Sequence, residues 1–140
     1  GFYKNNFKDG EWKYYYEAGK LKEQGLYKFG KKNGHWIAWS AKGIKASEGN
    51  YKNEKPDGFW EYYFDTGAKA FEKTFKDGDL AGPCKAWYEN TKLQSITSYT
   101  LVKDKKNRRV DSKPDGKWIF FDEKGIKISE TTYNKGIKVK

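Results

Sequence analysis

The sequence predicts an all-β protein, an elongated single-layer array of β-hairpins. Five segments share one pattern and start at Gly10, Gly34, Gly58, Gly82 and Gly116, with 24 residues between successive starts among the first four. Aromatic residues return at fixed positions in each segment, and most segments carry a glycine between two stretches of strand length. A fixed period of this size is typical of repeat architectures, and paired aromatic stretches are typical of hairpins.

The aromatic residues fall into three columns when the segments are aligned by their first glycine. The tryptophan column, two residues after the glycine, contains Trp12, Trp36, Trp60, Cys84 and Trp118. The second aromatic column, five residues after it, contains Tyr15, Trp39, Tyr63, Trp87 and Phe121. The third aromatic column, seventeen residues after it, contains Tyr27, Tyr51, Phe75, Tyr99 and Tyr133.

These columns divide the chain, residues 1–140, into the units of one repeat domain. The predicted units are a partial unit at 1–9 followed by 10–33, 34–57, 58–81, 82–115 and 116–140. The fourth unit departs from the pattern, because Cys84 stands in the tryptophan column and the unit carries a basic insertion before Gly116. We expect the insertion to be a mobile loop.

The junctions between units predict the turns of the array. Asp or Asn precedes the leading glycine in Asp9-Gly10, Asn33-Gly34, Asp57-Gly58 and Asp115-Gly116. Such dipeptides tolerate positive φ at both central positions of a two-residue hairpin turn. We therefore expect a tight turn at each of these junctions.

The spacing of the first two columns places rings on both sides of the sheet. Residues three apart in a regular strand, such as Trp36 and Trp39, face opposite sides. Two arrangements follow: a thin curved ribbon with one face folded inward and the other partly exposed, or a local bulge that brings the rings together. The tryptophan column is predicted as core, whereas the second aromatic column fits either core or a binding surface.

Composition and the scarcity of reactive residues limit the function classes. The 29 Lys and Arg residues exceed the 19 Asp and Glu residues, and the net charge of +10 favours acidic partners. Lysines on exposed strands also protect sheet edges, so part of this charge has a structural explanation. His35 is the only histidine and Cys84 the only cysteine. We therefore predict no catalytic residues, no enzyme activity, no metal site and no cofactor.

The columns resemble the MORN repeat, in the bacterial variant whose unit reads approximately G-x-W-x-x-Y-x-x-x-G, then seven residues, then Y-x-x-G. In the first unit the matching residues are Gly10, Trp12, Tyr15, Gly19, Tyr27 and Gly30. The resemblance spans the chain, and the sequence departs from the repeat pattern in the fourth unit. It implies a hairpin scaffold used for protein binding or for attachment to anionic membrane surfaces. In bacteria it extends to proteins labelled as YwqK-like antitoxins.

From the residues and the resemblance together we expect a non-enzymatic scaffold that binds a partner protein, with an antitoxin-like role as one form of it. The predicted contact is the second aromatic column with its flanking lysines, because Trp and Tyr are enriched in interface hot spots. The residues of this predicted contact are Tyr15, Trp39, Tyr63, Trp87 and Phe121.

The alternative is peripheral binding to anionic phospholipid through the basic segment 103–113. Its contact residues would be Lys103, Lys105, Lys106, Arg108, Arg109 and Lys113. The two arginines offer bidentate geometry to phosphate that lysines lack. Nucleic acid and small-molecule substrates are not expected as partners. Both an exported or cell-envelope location and a cytoplasmic one fit the sequence.

Overall fold

Each unit folds into antiparallel strands because its two extended stretches are rich in aromatic residues, which favour strands. The computed structural model describes residues 1–106 and 110–139, which form one open antiparallel sheet of 14 strands. The strands are β1 (Phe2–Lys4), β2 (Phe7–Tyr15), β3 (Leu21–Lys28), β4 (Lys31–Trp39), β5 (Lys45–Lys52), β6 (Lys55–Tyr63), β7 (Lys69–Lys76), β8 (Asp79–Leu80), β9 (Gly82–Trp87), β10 (Leu93–Lys103), β11 (Val110–Pro114), β12 (Gly116–Phe121), β13 (Lys127–Asn134) and β14 (Ile137–Val139). The predicted all-β hairpin array is confirmed.

The order of strands in the sheet follows the order of the chain. Strands β1 to β7 are neighbours in sequence order, and β9, β10, β12, β13 and β14 continue the series. The short strand β8 pairs with β7, and β11 pairs with β10. Among the described residues there is no helix long and apolar enough to cross a membrane.

The leading glycine of each unit lies opposite a ring of the third aromatic column. The cross-strand pairs are Gly10–Tyr27, Gly34–Tyr51, Gly58–Phe75, Gly82–Tyr99 and Gly116–Tyr133. All five glycines have positive φ, between 74° and 108°. Glycine adopts this conformation without the steric cost that a side chain would impose. The period of the sequence is therefore the period of strand pairing.

The tight turns between units lie elsewhere than predicted. Residues 9–10, 33–34 and 57–58 lie inside β2, β4 and β6, and 115–116 lie at the junction of β11 and β12. Positive φ at both residues instead marks two-residue turns at Asn5-Asn6, Phe29-Gly30, Asn53-Glu54, Asp77-Gly78 and Lys135-Gly136. The prediction was wrong because the Asp-Gly and Asn-Gly signal also suits a glycine bulge. Such an irregularity interrupts the pairing of β3 with β4 beside Gly34.

The Asp or Asn before the leading glycine instead holds the turn of the next unit. Its side-chain oxygen accepts a hydrogen bond from the first backbone N–H of that turn, 20 residues further along the chain. The three bonds are Asn53 N–H to Asn33 Oδ1 at 3.2 Å, Asp77 N–H to Asp57 Oδ1 at 3.0 Å and Lys135 N–H to Asp115 Oδ1 at 2.9 Å. Successive turns are thus stacked, and the recurrence of these residues has a structural cause.

The basic insertion is mainly a β-hairpin, and the expectation of a mobile loop was wrong for its two arms. Strand β10 continues to Lys103 and pairs with β11, with Lys103 opposite Val110 and Thr100 opposite Lys113. The Ser112 hydroxyl donates to the Leu80 carbonyl at 2.7 Å, which ties this hairpin to β8. The insertion therefore lengthens one hairpin of the array without changing its register.

Candidate interaction surfaces

The tryptophan column and the third aromatic column form a ladder of rings on one side of the sheet, called here the ladder face. The ring centroids of Trp12 and Tyr27, Tyr27 and Trp36, Trp36 and Tyr51, and Tyr51 and Trp60 lie 5.9, 5.2, 6.2 and 4.9 Å apart. All four contacts are edge-to-face, a favoured geometry for aromatic pairs. Trp36 and Trp60 are only 3% and 4% exposed, which confirms the predicted core role for these two.

Each buried indole lies over a glycine of the preceding strand. A Cβ atom added to Gly25 would come within 2.1 Å of Cδ2 of Trp36, and one added to Gly49 would come within 2.1 Å of Cδ2 of Trp60. The indole N–H of each tryptophan donates to a backbone carbonyl at 2.9 Å, that of Leu26 for Trp36 and that of Asn50 for Trp60. The glycine is therefore part of the tryptophan site.

The ladder is interrupted between the third and fourth units, where two columns change together. Lys73 stands where the earlier units have Gly25 and Gly49, and Cys84 stands where they have a tryptophan. An indole placed as those of Trp36 and Trp60 are would meet the Cβ of Lys73, and the small residue Cys84 stands there instead. Cys84 is 8% exposed, and a groove of about 260 Å³ opens beside it on the ladder face. This site was missed from the sequence, although the glycine column that signals it is visible there.

The five rings of the second aromatic column share the other side of the sheet, called here the opposite face. Tyr15 is 58% exposed, while Trp39, Tyr63, Trp87 and Phe121 are half-buried. The pairing register shifts just before the column, for example between Tyr62 and Tyr63. This bulge does not bring the rings onto the ladder face. The structure places the predicted contact residues in one row along the sheet.

Lysines flank this row and contact its rings. The Lys45 ammonium lies 5.0 Å from the ring centroid of Tyr63, and that of Lys69 lies 5.8 Å from the ring of Trp87. Lys69 also pairs with Glu61 at 2.6 Å and Glu72 at 2.9 Å. The hydrogen bonds to these two carboxylates raise the pKa of Lys69. The opposite face thus carries aromatic surface fixed by charged neighbours.

Glu48 connects two basic side chains on the same face. Its carboxylate oxygens lie 2.6 Å from Lys45 Nζ and 2.7 Å from His35 Nε2. The hydrogen bond from Lys45, aided by that from His35, lowers the pKa of Glu48 despite partial desolvation. The only histidine of the chain is therefore hydrogen-bonded to the carboxylate that also pairs with Lys45. In the described part of the chain, no three His, Cys, Asp or Glu residues are grouped to hold a metal ion.

The lowered pKa of Glu48 predicts a small loss of stability in acid. A carboxyl whose pKa is depressed by folding contributes stability above its unfolded pKa of about 4.3, and this contribution disappears as the pH falls through the folded value. We expect Glu48→Gln to lower the free energy of unfolding by less than about 1 kcal/mol at pH 7. Below pH 4 the free energies of unfolding of the variant and the wild type should differ by less than they do at pH 7. Urea unfolding at pH 7 and pH 3 measures both. Glu11→Gln, at a carboxyl with no ion pair among the described residues, is the control, and an equal effect there would refute this role.

The basic segment is divided between the tip and both faces of the inserted hairpin. Lys103, Lys105 and Lys106 are exposed at or near the tip. Lys113 is also exposed, but the stem of its side chain packs against Gly136 of the last turn. Its neighbours Ser112 and Pro114 pair with ladder-face residues of β10, so Lys113 itself lies on the opposite face. Arg108 and Arg109 lie outside the described residues. The structure therefore groups three of the six predicted contacts.

Comparison with known proteins agrees with this geometry. Residues 8–29 and 114–135 match the family model described as a MORN repeat variant. No curated protein matches the chain. The first match covers most of β2, β3 and the first residue of the following turn, and the second covers β12, β13 and the first residue of the turn after them. The two matches lie at opposite ends of a continuous hairpin sheet, so these two segments of the chain are similar to a MORN repeat variant.

Proposed function

We propose that this scaffold is not an enzyme and binds a partner protein through the second aromatic column on the opposite face. The observation that supports the proposal is the difference in exposure between aromatic rings on the two faces. Trp36 and Trp60 supply a buried ladder, whereas Tyr15 on the other side is 58% exposed. Rows of flat rings with nearby cations provide large contact area with little entropy loss. We also propose that the chain is one domain with a partial unit at 1–9 and the units 10–33, 34–57, 58–81, 82–115 and 116–140.

The test compares partner binding with folding in one variant. We expect Trp39→Ala combined with Tyr63→Ala to weaken capture of a partner from lysate about tenfold or more, as loss of hot-spot aromatics does. The thermal midpoint should fall much less than it does in a ladder variant. Phe29→Ala is the control, because Phe29 is 65% exposed in a turn outside the column. The proposal fails if the double variant still captures the partner, or if its thermal midpoint falls as far as that of a ladder variant.

An antitoxin-like role is the narrower form of this proposal. It requires that the captured partner inhibit growth and that co-expression of this chain relieve the inhibition. The same Trp39→Ala, Tyr63→Ala variant should then fail to relieve it. Relief that persists with the variant would separate the antitoxin role from the second aromatic column.

The second candidate function is contact with an anionic membrane through the inserted hairpin. Three exposed lysines at or near one projecting tip, Lys103, Lys105 and Lys106, support it. Residues 101–112 can be replaced by Asn-Gly. Thr100 and Lys113 are direct cross-strand partners, as are Lys52 and Lys55, which flank a two-residue turn, so a two-residue loop can close the shortened hairpin. We expect this variant to fold and to lose sedimentation with phosphatidylserine vesicles at low salt. Equal sedimentation of both proteins would exclude the hairpin as the membrane contact.

A further inference from the structure

The groove in the fourth unit has the size of a side chain. Its volume is about 260 Å³, and its walls include Phe71, Ala86, Tyr99, Trp118 and Phe120. Pockets for drug-sized ligands span roughly 300 to 1,000 Å³. The groove is below that range and open to solvent, so one inserted side chain fits it better than a whole small molecule.

The groove takes the place of an indole that the second and third units provide themselves. Tyr99 and Trp118, whose rings lie 5.2 Å apart, resume the ladder on one side of the groove. Phe71 and Phe120 remain 40% and 39% exposed beside it. An aromatic ring supplied from outside would cover these exposed rings and restore the edge-to-face contacts of the ladder.

The charge at the groove favours an acidic neighbour for that ring. Glu72 is paired with Lys69, whereas Lys73 has no ion-pair partner within the described ranges. The Lys73 ammonium lies over rings of the ladder face, 5.1 Å from the centroid of Phe71 and 5.4 Å from that of Tyr62. With a net charge of +10 on the whole chain, a carboxylate beside the inserted ring is electrostatically complementary.

We propose that this groove binds a segment of a partner protein that inserts one aromatic side chain and places a carboxylate beside Lys73. The inference rests on the proposed protein-binding function and adds a specificity site on the ladder face. The groove and the second aromatic column lie on opposite sides of the sheet, so the two contacts can be removed separately.

The experiment selects peptides for the groove and counter-selects against a filled groove. A display library of random 12-residue peptides is panned on the wild-type chain and depleted on the double variant Lys73→Gly, Cys84→Trp. That variant recreates the glycine and tryptophan pairs Gly25–Trp36 and Gly49–Trp60. Ser95→Phe, at the groove wall, is a second filled variant if the first does not fold. Cys84→Ala keeps the groove open and is the matched control.

The expected result is enrichment of peptides with Trp or Phe next to Asp or Glu. Replacement of that aromatic residue by Ala should raise the Kd about tenfold, and Cys84→Ala should bind as the wild type does. No enrichment over the filled variant, or enriched peptides without an aromatic residue, would overturn the proposal. If the filled variant still captures the lysate partner but Trp39→Ala, Tyr63→Ala does not, the groove proposal fails while the proposed function stands.

Discussion

Trp60→Ala is expected to destabilise the protein by about 3 to 5 kcal/mol, the usual range for truncation of a buried tryptophan. Trp60 is 4% exposed, contacts the ring of Tyr51 at 4.9 Å and donates its indole N–H to the Asn50 carbonyl. The substitution removes the ring contact and the donor and leaves a cavity in the middle of a thin sheet. Urea unfolding followed by circular dichroism measures the loss.

The control for this prediction lies nearer the end of the array. Trp12 is half-buried and stands in the first complete unit, so Trp12→Ala should cost clearly less than Trp60→Ala. Each unit in a repeat array contacts only its neighbours, so a weakened central unit can also split the unfolding into two transitions. Equal losses for the two variants would mean that burial in the ladder does not determine stability.

Gly49→Ala is expected to cost about 1 to 3 kcal/mol, although it adds only one methyl group. The new Cβ would come within 2.1 Å of Cδ2 of Trp60, so the indole must move. In the last two units Thr97 stands at the position of Gly49 and faces Trp118. Trp118 is half-buried, whereas Trp60 is buried. The measurement is the free energy of unfolding in urea.

A double-mutant cycle isolates the glycine and tryptophan pair. Gly49→Ala combined with Trp60→Cys imitates the Lys73 and Cys84 combination, in which a side chain faces a small residue. We expect the double variant to be more stable than the sum of the two single changes predicts. Strict additivity would show that the indole and the glycine are not coupled.

The architecture was predictable because the period of the chain and the period of the sheet are the same. The columns of Trp36 and Tyr51 follow strand pairing directly, so the hairpins and a core role for the tryptophan column could be predicted from spacing, whereas the choice of exposed face stayed open. The turns could not be located as reliably. Phe29-Gly30 and Asn33-Gly34 are both suited to positive φ, and only the hydrogen-bond register distinguishes a turn from a bulge.

The candidate sites were predictable to different degrees. Alternation predicts that Trp39 and Trp36 face opposite sides, but a bulge that brings the two columns together stayed open until the pairing register was known. The groove beside Cys84 could not be predicted, because its lining depends on side chains from the four strands β7, β9, β10 and β12. The inserted hairpin was missed for a similar reason. Its lysines suggest a solvated loop, whereas pairing between Leu101 and Ser112 continues the ladder of hydrogen bonds.

The agreement between strand order and chain order has a mechanical consequence. A force applied to the two termini acts along the direction in which the strands are stacked, so it loads the hydrogen bonds of one strand pair at a time. The sheet should then peel from its ends, β1 from β2 and β14 from β13, instead of shearing many bonds together. We therefore expect the array to extend easily when pulled along its length, one strand pair at a time, while the remaining hairpins stay folded.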